Sequence, residues 1–339
     1  MRNDMRIIID AMGGDHAPEE IIKGTAQAVE ASDATFVLVG DQDRITRLAV
    51  ENGISTDRYT VVHASNVISM DDKPLAAIQH KKDSSMAVGL RLLANGEGDA
   101  FVSAGNTGAL FSGATLIVKR IAAVHRAAIG TVLPGTKPCL LLDAGANVSV
   151  TEAYLEQFAV MGSAYMKKMY GIAHPTVGLL NNGTEEGKGT PLQIEANKRL
   201  GANGAIHYTG NVEASAALFG ACDVLVCDGF TGNVFLKAIE GMGMRILRAL
   251  KETYTKSMLT KLSFLPVKRP FAQMKKEFDP AEHGGSPLLG ISKPVIKAHG
   301  SSNAKAFKNA VFQAISTLEG NVCGQIADEM SALAVNMEG

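Results

Sequence analysis

The chain has 339 residues, 46% of them hydrophobic, with no tryptophan and few aromatics, so it can bury a large core of Ala, Val, Ile, Leu and Met. Its formal net charge of −1 supplies no global basic field, and no nucleic-acid partner is expected. The four cysteines, Cys139, Cys222, Cys227 and Cys323, show neither CxxC nor metal spacing and read as buried reduced thiols. No signal peptide is recognised, and no apolar run approaches the ~18 residues of a membrane span. A soluble intracellular protein with no metal site and no cofactor is expected.

Arg6 to Asp10 reads as a first strand, followed at once by the loop Ala11 to Pro18. Pro18, Glu19 and Glu20 form a good helix opening, because proline suits the first turn and acids suit its dipole. Strands are expected over Thr35 to Val39 and Thr60 to His63, and a helix reaching Ala94. Asp99 to Leu110 (DAFVSAGNTGAL) then spells a short apolar strand, a Gly105-Asn106-Thr107-Gly108 loop and a helix to about Ile121. His125 to Val132 reads as a strand, and Cys139 to Val148 (CLLLDAGANV) repeats the strand-and-loop plan. A long helix is expected over Thr151 to Tyr170. Val177 to Thr190 (VGLLNNGTEEGKGT) repeats the plan again, and Ala205 to Thr209 adds a strand.

The fullest version is Asp223 to Lys237 (DVLVCDGFTGNVFLK). Asp223 to Cys227 reads as a buried strand, Asp228 to Asn233 as a tight polar turn, and Val234 to Leu250 as an amphipathic helix. The chain closes with Pro294 to Ser302 and a final helix from about Asn303 to Asn336. Alternating strands and helices argue α/β, and continuous apolar runs argue a mainly parallel sheet covered on both faces. Four repeated loops are then expected on one C-terminal edge, where open α/β sheets bind ligands. Helices starting there point N–H groups and positive dipole ends at that edge, which suits phosphate.

No linker divides the chain, so residues 1–339 are taken as one domain. Lys251 to Lys276 stands out within it: Lys251, Lys256, Lys261, Lys268, Arg269, Lys275 and Lys276 face a single acid, Glu252. Met258, Leu259, Leu262, Phe264, Leu265, Val267 and Phe271 are interleaved, and Pro266 and Pro270 are expected to break any helix. Such an arm, about residues 256–271, suits either an anionic membrane surface or a partner subunit.

No G-x-S-x-G is present to carry a catalytic triad. GTEEGKGT (Gly183 to Thr190) is one residue short of a P-loop, and Gly189 stands where the hydroxyl residue belongs. It reads as a looser phosphate cradle with Lys188 as point charge. The polar inventory suits an oxyanion site without a protein nucleophile, which is sufficient where phosphate itself attacks.

In combination and order, DAMGGDHAP, SAGNTGAL, LLDAGANV, GLLNNGTEEGKG, GNVEA, DGFTGNVFLK and AHGSS resemble the bacterial PlsX family, the acyl-carrier-protein:phosphate acyltransferases. The resemblance spans almost the whole chain. It implies transfer of a long-chain acyl group from acyl-[acyl carrier protein] to phosphate. It also implies an isocitrate/isopropylmalate-dehydrogenase-like three-layer α/β fold, a homodimer, and delivery of acyl phosphate to a membrane glycerol-3-phosphate acyltransferase. A cytoplasmic protein peripherally associated with the membrane follows from it.

For that chemistry the protein must hold phosphate in line, stabilise the oxyanion and help the thiol leave. Phosphate holding is assigned to Gly105, Asn106 and Thr107, to Thr184 with Lys188, and to Thr231, Gly232 and Asn233, with Asn147 and Asn181 as further binding candidates. Lys188 or His16 is expected to stabilise charge or protonate the thiolate. Asp228 and Asp10 are expected to orient these cations, and His299 is a further candidate. Each has a plainer reading: His16 capping a turn, Asp10 bonding neighbouring loops, Lys188 solvated, and Asn106 and Asn233 placed for backbone geometry. A phosphotransacetylase acting on acyl-CoA, a nicotinamide-dependent decarboxylating dehydrogenase and a non-catalytic lipid-binding scaffold are the rivals.

Overall fold

The computed structural model describes residues 5–338, apart from 258, 259, 261, 262, 265, 278–281 and 283. The strands are β1 (Arg6–Asp10), β2 (Thr35–Gly40), β3 (Tyr59–His63), β4 (Ala100–Ser103), β5 (Ala128–Leu133) and β6 (Cys139–Leu142). They continue with β7 (Thr176–Asn181), β8 (His207–Glu213), β9 (Val224–Val226), β10 (Ser286–Leu289) and β11 (Val295–Lys297). The helices are α1 (Glu19–Val29), α2 (Gln42–Glu51), α3 (Pro74–His80), α4 (Ser85–Asn95), α5 (Thr107–Gly113) and α6 (Glu152–Tyr170). After them come α7 (Pro191–Ala202), α8 (Ala214–Ala217), α9 (Gly229–Thr255), α10 (Lys268–Glu277), α11 (Ala304–Glu319) and α12 (Val322–Glu338). A π-helical turn, Ala114–Val118, extends α5.

All the strands join one mixed, mainly parallel sheet in the order β3-β2-β1-β4-β11-β10-β5-β6-β9-β7-β8. The apolar runs behave as expected of strands covered on both faces: Ile7, Ile8, Ile9, Phe101, Val102, Leu140, Leu141, Val224 and Leu225 are wholly buried. The helices divide the apolar side chains among three clusters. One lies against α1 and α11, one against α6 and α12, and one around α4 and α5.

The sheet departs from the expected single loop-bearing edge. β10 is antiparallel to β11 and to β5, and β5 is antiparallel to β6. Three reversals separate β1, β2, β3, β4 and β11 from β6, β7, β8 and β9, so the two parallel groups run in opposite senses. The loops after β1 and β4 therefore leave one edge, and those after β6, β7 and β9 leave the other.

Helix limits also differ from expectation where a side chain caps the backbone. Asp228 accepts the Thr231 N–H at 2.8 Å, so Gly229 to Asn233 is already the first turn of α9 and not a separate loop. The final helix is two, because Asn321 takes a left-handed φ of 49° between α11 and α12. The helix after the GNTG loop ends at Val118, before Lys119 turns to φ 75°. In the basic arm Pro270 sits in the first turn of α10, where its missing N–H costs nothing. Tyr254, Phe264 and Phe271 pack in series there, at ring separations of 5.1 and 5.4 Å. Met258, Leu259, Lys261, Leu262 and Leu265 of the expected membrane or dimer arm lie outside the described residues. No helix among the described residues is long and apolar enough to cross a membrane.

Candidate functional site

A cavity of about 430 Å³ opens where the two parallel groups meet, against the antiparallel centre of the sheet. β5 contributes Thr131, β10 contributes Ser286, and β11 with its following loop contributes Lys297 and His299. Register explains the meeting: Ser286 pairs with Lys297, and the Ser286 and Thr131 hydroxyls are 2.8 Å apart. From α9 come Asn233, Leu236, Lys237 and Glu240, whose spacing places them on one helix face. Thr107 enters from the loop after β4, and Ala144 and Gly145 from the loop after β6. Three of the recurring loops thus reach one cavity from opposite sheet edges, while the loop after β7 is not among its lining.

The electrostatics of the cavity are cationic with one carboxylate. Lys237 Nζ is 2.7 Å from Glu240 Oε2. Burial, reinforced by the Lys237 charge and offset in part by Glu240 and Asp15, lowers Lys297 to about 8. Partial burial of a ring that still reaches solvent, then the charges of Lys297 and Lys237, holds His299 below the usual imidazole range, so the ring is neutral near pH 7. Its Nδ1 accepts the Ser301 N–H at 3.2 Å, which leaves the proton on Nε2. A neutral hydrogen-bond donor and two amines thus line one space that can take an oxyanion. Among the described residues no group of three His, Cys, Asp or Glu side chains is placed to hold a metal.

The residues expected from sequence separate into three groups. Thr107, Asn233 and His299 line the cavity. Asp10, Gly105, Asn106, Asn147, Asp228, Thr231 and Gly232 build its frame. Asp10 is buried at the end of β1, where its Oδ2 accepts from Ser103 Oγ at 2.6 Å and Oδ1 from the Met12 N–H at 3.3 Å. Ser103 Oγ in turn accepts the Gly105 N–H at 3.0 Å. Asn106 caps α5 by accepting the Ala109 N–H, while its amide donates to the Ser69, Met70 and Asp72 carbonyls. Asn147 donates from its amide to Asp143 and to the Ala127 carbonyl, each at 2.8 Å. Asp228 takes both the N–H and the hydroxyl of Thr231, and the Gly232 N–H goes to the Asp228 carbonyl. Gly232 is required by close approach, since a Cβ there would lie 2.0 Å from the Asp143 carbonyl oxygen.

The third group lies apart. Lys188 and Thr184 are exposed on the loop after β7, whose backbone is held by Asn181 at Lys188 and by Asn211 at Glu185. The His16 side chain is exposed too, and its carbonyl accepts the Glu20 N–H. Sequence reasoning missed Lys237 and Lys297. The available signal was a lysine closing the buried strand Val295–Lys297, two residues before His299 and hence on the same side of an extended chain.

Comparison with known proteins gives a consistent answer. The family model "Fatty acid synthesis protein" matches residues 5–325. A phosphate acyltransferase of Caldanaerobacter subterraneus subsp. tengcongensis is 45% identical over 328 residues, 96% of this chain and 97% of its own. A phosphate acyltransferase of Clostridium acetobutylicum is 41% identical over 331 residues, 97% of this chain and 100% of its own. Among solved structures, a phosphotransacetylase from Streptococcus pyogenes superposes with a TM-score of 0.64 at 18% identity, covering 94% of this chain and 95% of its own. A Salmonella typhimurium protein described as a 4-hydroxythreonine-4-phosphate dehydrogenase superposes with a TM-score of 0.53 at 14% identity, covering 92% and 99%. These likenesses establish the dehydrogenase-like α/β fold.

Proposed function

The chain belongs to the PlsX family of phosphate acyltransferases, and on that premise we propose that it moves a long-chain fatty acyl group from acyl-[acyl carrier protein] to inorganic phosphate. The acyl phosphate formed then serves phospholipid synthesis through a membrane glycerol-3-phosphate acyltransferase. The observation that carries this reading is the cavity holding Lys237, Lys297 and the His299 Nε2–H together, with no strong base or nucleophile needed. Phosphate is its own nucleophile, and the site's tasks are to place it and to meet the charge that develops on the thioester oxygen.

In this reading Lys237 and Lys297 hold phosphate beside the Thr107 and Asn233 side chains, and His299 donates to the carbonyl oxygen. Asp10, Asp143 and Asp228 act through the loops that they hold. Lys188 and Thr184, exposed after β7, meet the substrate from outside the cavity, and His16 stands beside the Asp15 segment that faces His299. A homodimer, with the arm at 256–271 available to a partner subunit or a membrane surface, belongs to the same proposal.

The test is loss of palmitoyl-[acyl carrier protein] with and without inorganic phosphate, with mass detection of the product. Phosphate-dependent formation of palmitoyl phosphate is the expected result. Turnover of acyl-CoA in its place would support the phosphotransacetylase-like alternative. Liposome binding without any thioester loss would support a scaffold.

A further inference from the structure

Acyl transfer to phosphate leaves one proton to be moved. As HPO4²⁻ attacks the thioester carbon, a C–O bond forms and the C–S bond breaks with its electron pair going to sulfur. The proton that phosphate brought must finish on the thiol, so the products are the acyl phosphate dianion and free thiol. A donor beside the sulfur that is later reprotonated from the acidic phosphate hydroxyl closes this cycle without any other reactant.

We propose that Lys297 is a catalytic residue of this transfer, its ε-ammonium giving a proton to the departing sulfur and regaining one from the phosphate hydroxyl. The proposal rests on the acyl-transfer reading above. Its position is fixed on both sides, because β11 pairs at Lys297 with Ser103 of β4 and with Ser286 of β10. The side chain lines the cavity with Lys237 and His299. Lys237 is engaged by Glu240 at 2.7 Å, whereas no carboxylate among the described residues lies within ion-pair distance of Lys297. The charged groups around it are Lys237 and Glu240 from α9, Asp15 from the loop after β1 and, at a distance of two residues, His299.

Acidity supports the same assignment. A thiol leaving group has a pKa of about 8.5, and an ordinary lysine at about 10.4 would give up its proton uphill. At about 8, Lys297 matches the group that it must protonate, which is the condition for efficient general acid catalysis. The neutral His299 is a donor by hydrogen bond and a poorer source of a full proton.

Steady-state kinetics of the full-length wild type, Lys297→Arg, Lys297→Met and Lys237→Met, with palmitoyl-[acyl carrier protein] and phosphate, test this. Arginine keeps the charge but does not release its proton. Lys297→Arg is expected to keep the phosphate KM within roughly threefold while kcat falls about 100-fold, the lower end of general acid effects. Wild-type kcat/KM, which reports the free enzyme, is expected to decline as pH rises through about 8, and this basic limb should vanish in that variant. Lys237→Met should raise the phosphate KM and keep a basic limb, moved to higher pH because the Lys237 charge no longer lowers Lys297, and Lys297→Met should raise KM and lower kcat. A Lys297→Arg enzyme with wild-type kcat, or with lowered kcat and an unchanged basic limb, would overturn the proposal and leave the acyl-transfer reading standing. A folded wild type that forms no acyl phosphate would overturn that reading itself.

Discussion

At the end of β1 the buried Asp10 carboxylate takes the Ser103 hydroxyl and the Met12 N–H. At the end of β6 the buried Asp143 carboxylate takes the N–H groups of Ile129, Gly145, Ala146 and Asn147 and the Asn147 amide as well. Burial raises the pKa of both, and hydrogen bonds oppose it in both. The loop after β6 is therefore wired to one side chain, while the corresponding corner at β1 and β4 is shared between Asp10, Ser103 and the Asn106 amide. Neither carboxylate faces the cavity. Much of each loop that looks like a binding loop in sequence is engaged in holding its own corner, and the cavity's cations come from the body of α9 and the end of β11.

Removing each hub should expose the difference. Asp143→Ala strands four backbone donors in a buried corner, and a loss of about 3–5 kcal/mol in urea unfolding is expected, in the range of broken buried charge networks. Asp10→Ala strands fewer groups, and about 1–3 kcal/mol is expected by the same measurement. Equal losses would show that Asp143 is not the hub of its loop.

The contact between α9 and that loop can be strained without removing a hydrogen-bonding group. Gly232→Ala places a methyl 2.0 Å from the Asp143 carbonyl oxygen, a backbone atom that cannot rotate away. About 1–3 kcal/mol of destabilisation is expected, as for other overpacked sites. A smaller effect follows from uncapping α9. Asp228→Ala should cost about 1 kcal/mol, the usual worth of an N-cap, while Asp228→Asn should cost less because its side-chain oxygen still accepts. Thermal unfolding of these variants that left Gly232→Ala at wild-type stability would mean that α9 shifts freely on its support.

The limits of sequence reading follow the same physics. α6 was legible at both ends because Thr151 caps its first turn and Gly171 ends it with φ 68°. The start of α9 was not, because two glycines in DGFTGN outweigh the Asp228 cap when local propensity alone is weighed. β10 (SPLL) carries no local strand signal, and its place is set by β11 and β5 from distant parts of the chain. Since β10 supplies two of the three reversals, the opposite sense of the two parallel groups was hidden with it. Thr107, Asn233 and His299 are legible as candidates because their motifs mark them, and all three line the cavity. Lys237 and Lys297 gain their meaning only when α9 and β11 meet.

The last expected effect on stability appears only at high pH and belongs to Lys297, which returns to the central comparison because it sits between the two frames. Its folded pKa of about 8 lies below the unfolded lysine value of 10.5. Between those values the unfolded chain binds more protons than the folded one, so stability must rise with pH across the window. Other lysines titrate there too, but they cancel when wild type is compared with Lys297→Met. The difference in unfolding free energy between the two should be flat just below pH 8, above the range in which His299 answers the Lys297 charge, and move in favour of wild type from pH 8 to 10.5. A difference that stays flat throughout would mean that the cavity does not depress this lysine. A rise beginning near the pH at which kcat/KM declines would tie both observations to one ionising group.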